Sequence, residues 1–220
     1  MYQDRASILT QSDYDDLLVY LYFGPERDFL LSCIGRAYYS FCRTLHGIAR
    51  IDNERAMEIW EAARHGLKEQ FAQASTINDQ DEFDHWHRSA CMLLHGTYSR
   101  NGYERFHVGQ AQKWINMAFK FVYAMGERRV PDFDAIYRYC HVPIDNVVLD
   151  RLETGSYNIP RAPFFPCHWS RIDDYGQYLE FQSWLRQRFT VPPLDVEFLL
   201  WMGKGVPAEY LNDAAGGNGC

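Results

Sequence analysis

The sequence predicts an all-α fold, and three observations carry that expectation. Apolar residues recur at helical spacing in most segments between turn signals. Strict apolar–polar alternation never persists long enough to demand a sheet. Helix start and stop residues bracket the periodic segments. The pattern suggests two helical lobes with a cleft between them: an N-terminal lobe over residues 1–100, a second helical region over 101–203 and a flexible tail over 204–220.

Each segment has its own warrant. Residues 26–48 place Phe29, Leu30, Cys33, Ile34, Ala37, Phe41 and Leu45 on one helical face. Residues 53–74 and 80–99 read as two further helices, the second entered through the acidic stretch NDQDEFD. Asn101-Gly102 is a turn, and Gly109 precedes a helix over about 110–126 whose stripe is Ala111, Trp114, Ile115, Ala118 and Val122. Pro143 suits the first turn of a helix ending near Leu152. The three prolines of 154–168 mark a loop, residues 173–189 and 194–203 close the helical set, and DAAGGNGC frays.

Composition narrows the class. Hydrophobic residues at 47% and charged residues at 23% describe a soluble globular chain whose many aromatics are mostly core. No apolar run is long enough for a membrane span, and the N-terminus lacks the basic and apolar regions of a signal peptide, so a cytoplasmic protein is expected. Six cysteines without a CxxC pair then read as buried thiols. A net charge of −7 argues against a nonspecific nucleic-acid coat. The charge is uneven: residues 1–90 carry nine basic and fifteen acidic residues, whereas 100–129 carry six basic against two acidic. A local basic face on an acidic protein is compatible with DNA.

Lysine is scarce, four residues against eighteen arginines, yet Lys113 and Lys120 share a helix. At about 100° per residue they lie within roughly 20° of each other, opposite the apolar stripe. A lysine there is ordinarily solvated; desolvated, or beside other cations, it becomes a nucleophilic amine. Asp145, just after Pro143, has a comparable pair of readings. It caps backbone N–H groups, or it is a carboxylate held ionised at a helix start to stabilise positive charge on a sugar.

Together these residues resemble a family, the helix-hairpin-helix DNA glycosylases. There, a glycine hairpin of the form L-P-G-V-G-x-K precedes the lysine helix, and a later P-V-D segment supplies an aspartate. Val108-Gly109-Gln110-Ala111-Gln112-Lys113 looks like the first motif and Pro143-Ile144-Asp145 like the second. Three positions depart from the pattern: Ala111 replaces the second glycine, and Phe106-His107 stands before the turn where Leu-Pro is usual. The separation of 32 residues between Lys113 and Asp145, and the second lysine at 120, are similar to archaeal 8-oxoguanine glycosylases. Glu197 and Trp201, one helical turn apart, look like those enzymes' base-gripping pair. The resemblance spans about 108–203.

It implies Lys113 and Asp145 as catalytic residues, with Lys120, Glu197 and Trp201 as base contacts. Gly109, Gln110 and Gln112 would be DNA contacts. The partner is double-stranded DNA bearing a modified base, with no metal, organic cofactor, membrane or obligate protein partner. The layout also resembles bacterial anti-phage glycosylases, which makes hypermodified cytosine such as glucosylated hydroxymethylcytosine the favoured base and 8-oxoguanine the alternative. Arg100 and His107 offer a different reading, since their spacing resembles the R-x4-6-H motif of HEPN ribonucleases. A non-enzymatic helical binding module is the third. Asp84, His85 and His87 in DHWHR are not a metal set, because i, i+2 histidines diverge by about 160° on a helix.

Overall fold

The structure, a computed structural model, describes residues 8–48, 53–154, 165 and 167–212. Among these residues it is all-α: the regular elements are helices, and the sole β-type pairing is an isolated bridge between Phe189 and Leu211. The α-helices are α1 (Gln11–Phe23), α2 (Phe29–Tyr38), α3 (Asn53–Ala74), α4 (Gln80–Arg100), α5 (Val108–Met125), α6 (Asn146–Thr154), α7 (Tyr175–Arg188) and α8 (Pro193–Trp201). No helix among the described residues is long and apolar enough to cross a membrane.

Several boundaries differ from the sequence reading for local reasons. The expected helix over 26–48 is shorter, because Asp28 caps α2 by accepting from the Leu31 N–H and the chain tightens into a 3-10 turn at Cys42–Thr44. Helix α1 was not anticipated at all. Its signal is a capping box, in which Thr10 accepts from the Asp13 N–H while Asp13 accepts from the Thr10 N–H. Pro143 lies outside α6, which begins at Asn146. The expected tail over 204–220 starts out packed: Val206 is buried, and the Thr190 and Asn212 N–H groups bond to Tyr210 and Arg188 carbonyls. The rest of that tail, and most of the loop expected over 154–168, lie outside the described residues.

Helix α5 is the axis of the fold. Fifteen of its eighteen residues are buried, so the expected solvent-facing polar side does not exist. Trp114 points into α2 and donates its indole N–H to the Ile34 carbonyl at 2.8 Å. Phe119 stacks on Phe71 of α3 at 4.4 Å between ring centroids. Gly109 donates its N–H to the Ile172 carbonyl, and a Cβ there would stand 1.9 Å from the Trp169 carbonyl oxygen. Only glycine permits that approach. The buried apolar side chains join in one cluster running from Cys33 to Val206. Cys33, Cys91 and Cys140 belong to it as free thiols.

Candidate active site

A helix buried on every side must satisfy its polar residues internally, and α5 does so residue by residue. Gln110 donates to the Thr44 carbonyl and hydroxyl, each at 3.0 Å, and accepts from the His107 N–H at 2.9 Å. Gln112 reaches the extended segment 141–145, where its carbonyl accepts from the Ile144 N–H at 3.1 Å and its amide donates to the Ile144 carbonyl at 3.0 Å. Gln182 of α7 holds Val142 in the same two-way manner, at 3.0 and 2.8 Å. Pro143 lies between the two clamps. It has no N–H to satisfy, and it biases Val142 towards extended backbone.

The clamped segment delivers Asp145 to Lys113. The Lys113 Nζ donates to Asp145 Oδ2 at 2.5 Å, with the lysine side chain 2% exposed and the aspartate side chain 12%. The other carboxylate oxygen accepts the Val148 N–H at 2.9 Å, which caps α6. Both carboxylate oxygens are therefore engaged, and the group is fixed in orientation as well as position. The capping reading of Asp145 holds, and the same carboxylate also pairs with Lys113.

Two turns along α5, Lys120 donates to Glu197 Oε1 of α8 at 2.7 Å. The Glu197 side chain has no exposure, and its Oε2 has no hydrogen-bond partner. Trp201 lies 44% exposed with its ring centroid 4.4 Å from the Lys120 Nζ, so the cation sits between a buried carboxylate and an accessible indole face. Burial pulls the Lys120 ammonium below the ordinary lysine value, against the opposing pull of Glu197. Burial likewise pushes Glu197 above the ordinary carboxylate range, against Lys120. Both shifts run toward the neutral forms, and Lys113 and Asp145 are close enough to act on both. The structure thus gathers Lys113, Asp145, Lys120, Glu197 and Trp201 into one charged group.

It does not place the three expected DNA contacts at a surface. Gly109, Gln110 and Gln112 are buried in the first turns of α5, packed or bonded as described above, and none offers a free group to a phosphate. The correction is physical: the hairpin expected at 108–112 is already helix, and the turn lies earlier, at Asn101-Gly102. Of the pair Arg100 and His107, only the histidine is committed to a partner among the described residues. The Arg100 guanidinium folds back along α4 beside Gly96, and His107 Nδ1 pairs with Asp173 at 2.6 Å.

A buried polar network behind the clamps went unread in the sequence. His141 joins the Asp84 carboxylate at 2.7 Å and the Tyr178 hydroxyl at 2.8 Å; Asn116 donates to that hydroxyl at 2.9 Å and also to Gln112 at 3.1 Å. His87 completes it through Asn116 and Tyr175, while His85 is exposed, as divergent i, i+2 positions require. Burial lowers both His87 and His141 below the ordinary histidine value, for His141 against the opposing pull of Asp84. Burial raises Asp84, but its hydrogen bond and charge interaction with His141 outweigh that and hold it below the usual carboxylate value. The sequence signal was only the triplet His141-Val142-Pro143, an extended dipeptide entered by a titratable residue. Compared with family models, curated proteins and solved structures, the chain matches none.

Proposed function

We propose that the protein is a DNA glycosylase that extrudes a modified base from duplex DNA and breaks its N-glycosidic bond, leaving an abasic site. The observation that carries the reading is the buried contact between Lys113 and Asp145, two residues 32 positions apart that the family resemblance had paired. An oriented carboxylate suits the positive charge that develops on deoxyribose as the base departs. In that step the C1′–N pair leaves with the base, water supplies the oxygen added at C1′, and its proton offsets the charge on the departing base. Lys113 orients the carboxylate. Trp201 over Lys120 and Glu197 offers a flat, charge-backed face for a flipped base. The favoured substrate is a hypermodified cytosine of phage DNA, whose sugar hydroxyls are donors for carboxylates.

The near-complete burial of Lys113 favours one competing reading, a purely structural ion pair fastening α5 to α6. Incubation with phage DNA carrying glucosylated hydroxymethylcytosine, and separately with 8-oxoguanine duplexes, followed by alkaline cleavage of abasic sites, decides between them. The glycosylase reading expects cleavage of the phage DNA that is lost in folded Lys113→Gln and Asp145→Asn proteins. Cleavage confined to 8-oxoguanine duplexes would move the activity to repair. No abasic sites on either substrate, or full activity in both variants, would leave the structural reading.

A further inference from the structure

A second concentration of unusual chemistry lies away from Lys113 and Asp145, in a groove of about 380 Å³ between the end of α1, α2 and α3. Its walls carry Tyr22, Tyr39 and Trp60 together with Arg36 and Arg64. Arg36 spreads its guanidinium over Tyr22 at 4.2 Å and towards Tyr39 at 5.8 Å, and it makes no ion pair among the described residues. Arg64 stacks on Trp60 at 4.9 Å but is flanked by Glu61 and Glu26 at 3.2 and 3.8 Å, so its charge is already answered. The uncompensated cation of the groove is Arg36.

Six buried side-chain polar atoms among the described residues lack a hydrogen-bond partner, and three belong to residues lining this groove: Ser32 Oγ, Trp60 Nε1 and Arg64 Nε. The Arg64 atom has Glu61 within ion-pair range, which leaves the hydroxyl and the indole N–H as true orphans. Ser32 is 4% exposed. A buried donor without an acceptor costs free energy, and two in residues that line one groove are explained by an acceptor that arrives from outside.

We propose that this groove binds a nucleotide unit. Its planar base would stack against the Tyr22, Tyr39 and Trp60 rings, its ring or sugar acceptors would take the Ser32 and Trp60 protons, and its phosphate would pair with Arg36. Aromatic faces supply affinity for any base, and the guanidinium plane matches phosphate oxygens in a way a lysine does not. The groove volume is within the range of small-ligand sites. Arg36 already stacked on tyrosine is held in place before the ligand arrives, so little side-chain freedom is lost on binding.

The same unit could be a free nucleotide or an unpaired residue of a single strand, and calorimetric titration of the full chain separates them. The probes are deoxyadenosine monophosphate, deoxyadenosine, inorganic phosphate and a short single-stranded oligodeoxyadenylate. Saturable binding of the monophosphate, with nucleoside and phosphate each far weaker, supports a free-nucleotide site. Binding of the oligonucleotide alone supports the strand. In either case Arg36→Gln should weaken binding by about tenfold or more, and Ser32→Ala by about threefold. Tyr39→Ala, at a ring 61% exposed and so dispensable for folding, should weaken it by about fivefold. No binding of any nucleotide probe, or parental affinity in folded Arg36→Gln and Tyr39→Ala proteins, would overturn the proposal.

Discussion

Helices α1 and α5 invert the amphipathic rule in opposite directions. Helix α1 has no buried residue, and Leu17, Leu18, Leu21 and Tyr22 along it are exposed. Helix α5 buries Gln110, Gln112, Lys113 and Asn116 as completely as it buries Trp114. α1 is held at its edges, by Asp16 against Arg128 and Arg129 and by Phe23 against Phe121. α5 is held everywhere. Apolar residues along a helix therefore do not say which face is inside. What distinguishes them is burial: the polar residues of α5 are enclosed, and each has a partner elsewhere in the chain.

If that distinction is right, the largest effect comes from unpairing a buried charge on α5. Lys120→Met leaves Glu197 enclosed without its cation and should cost about 3 to 5 kcal/mol in chemical denaturation. The Lys120→Met, Glu197→Leu double variant should recover much of it. Equal stability of the parent and the single variant would show that the polar side of α5 is incidental. Next is Gln112→Leu, which strands both backbone groups of Ile144 and should cost about 3 kcal/mol. Retained stability there would break the argument that side-chain amides stand in for a partner strand at 142–144.

The network behind the clamps makes a smaller, pH-dependent contribution. His87 and His141 have folded-state pKa values depressed below 6.5, so the unfolded chain binds more protons once the pH falls to that value. Their stability is fully present above 6.5 and declines as pH falls below it, by at most about 1.4 kcal/mol per pH unit for each group. Asp84, depressed below 3.8, adds its own loss only at still lower pH. Denaturation midpoints measured between pH 7 and pH 5 should fall, and a flat profile would mean that burial does not lower the two histidines in the fold. Smallest is Leu18→Asp with Leu21→Glu on α1, at side chains 65% and 69% exposed. That pair should change stability by less than about 0.5 kcal/mol. A larger loss would mean the α1 stripe is packed against something.

The fold class and most helix bounds were legible because periodicity and capping are local. α3 was read to the residue and α4 within one position at its end. Lys113 and Asp145 were legible as a pair because the segments that carry them resemble two motifs of one family, whereas the clamps of Gln112 and Gln182 were not. An amide side chain says nothing in sequence about which backbone it will hold, and its partner here stands 32 or 40 positions away. The missing solvent face of α5 escaped for a related reason. Its polar residues look like surface residues until the segments that cover them, 141–145 and 169–172, are in place.

Gly109 shows how a correct motif can carry the wrong cause. In a saturation scan scored by any function of the folded chain, this position should tolerate nothing, because even a methyl group collides with the Trp169 carbonyl 1.9 Å from where it would sit. Lys113, four positions on, should tolerate little as well. A heat map would show the two as one intolerant block, inviting their assignment to a shared ligand. Splitting the scan into an abundance readout and an activity readout separates them: glycine replacements should remove the protein, and on the proposed glycosylase reading lysine replacements that keep it folded should lower activity alone.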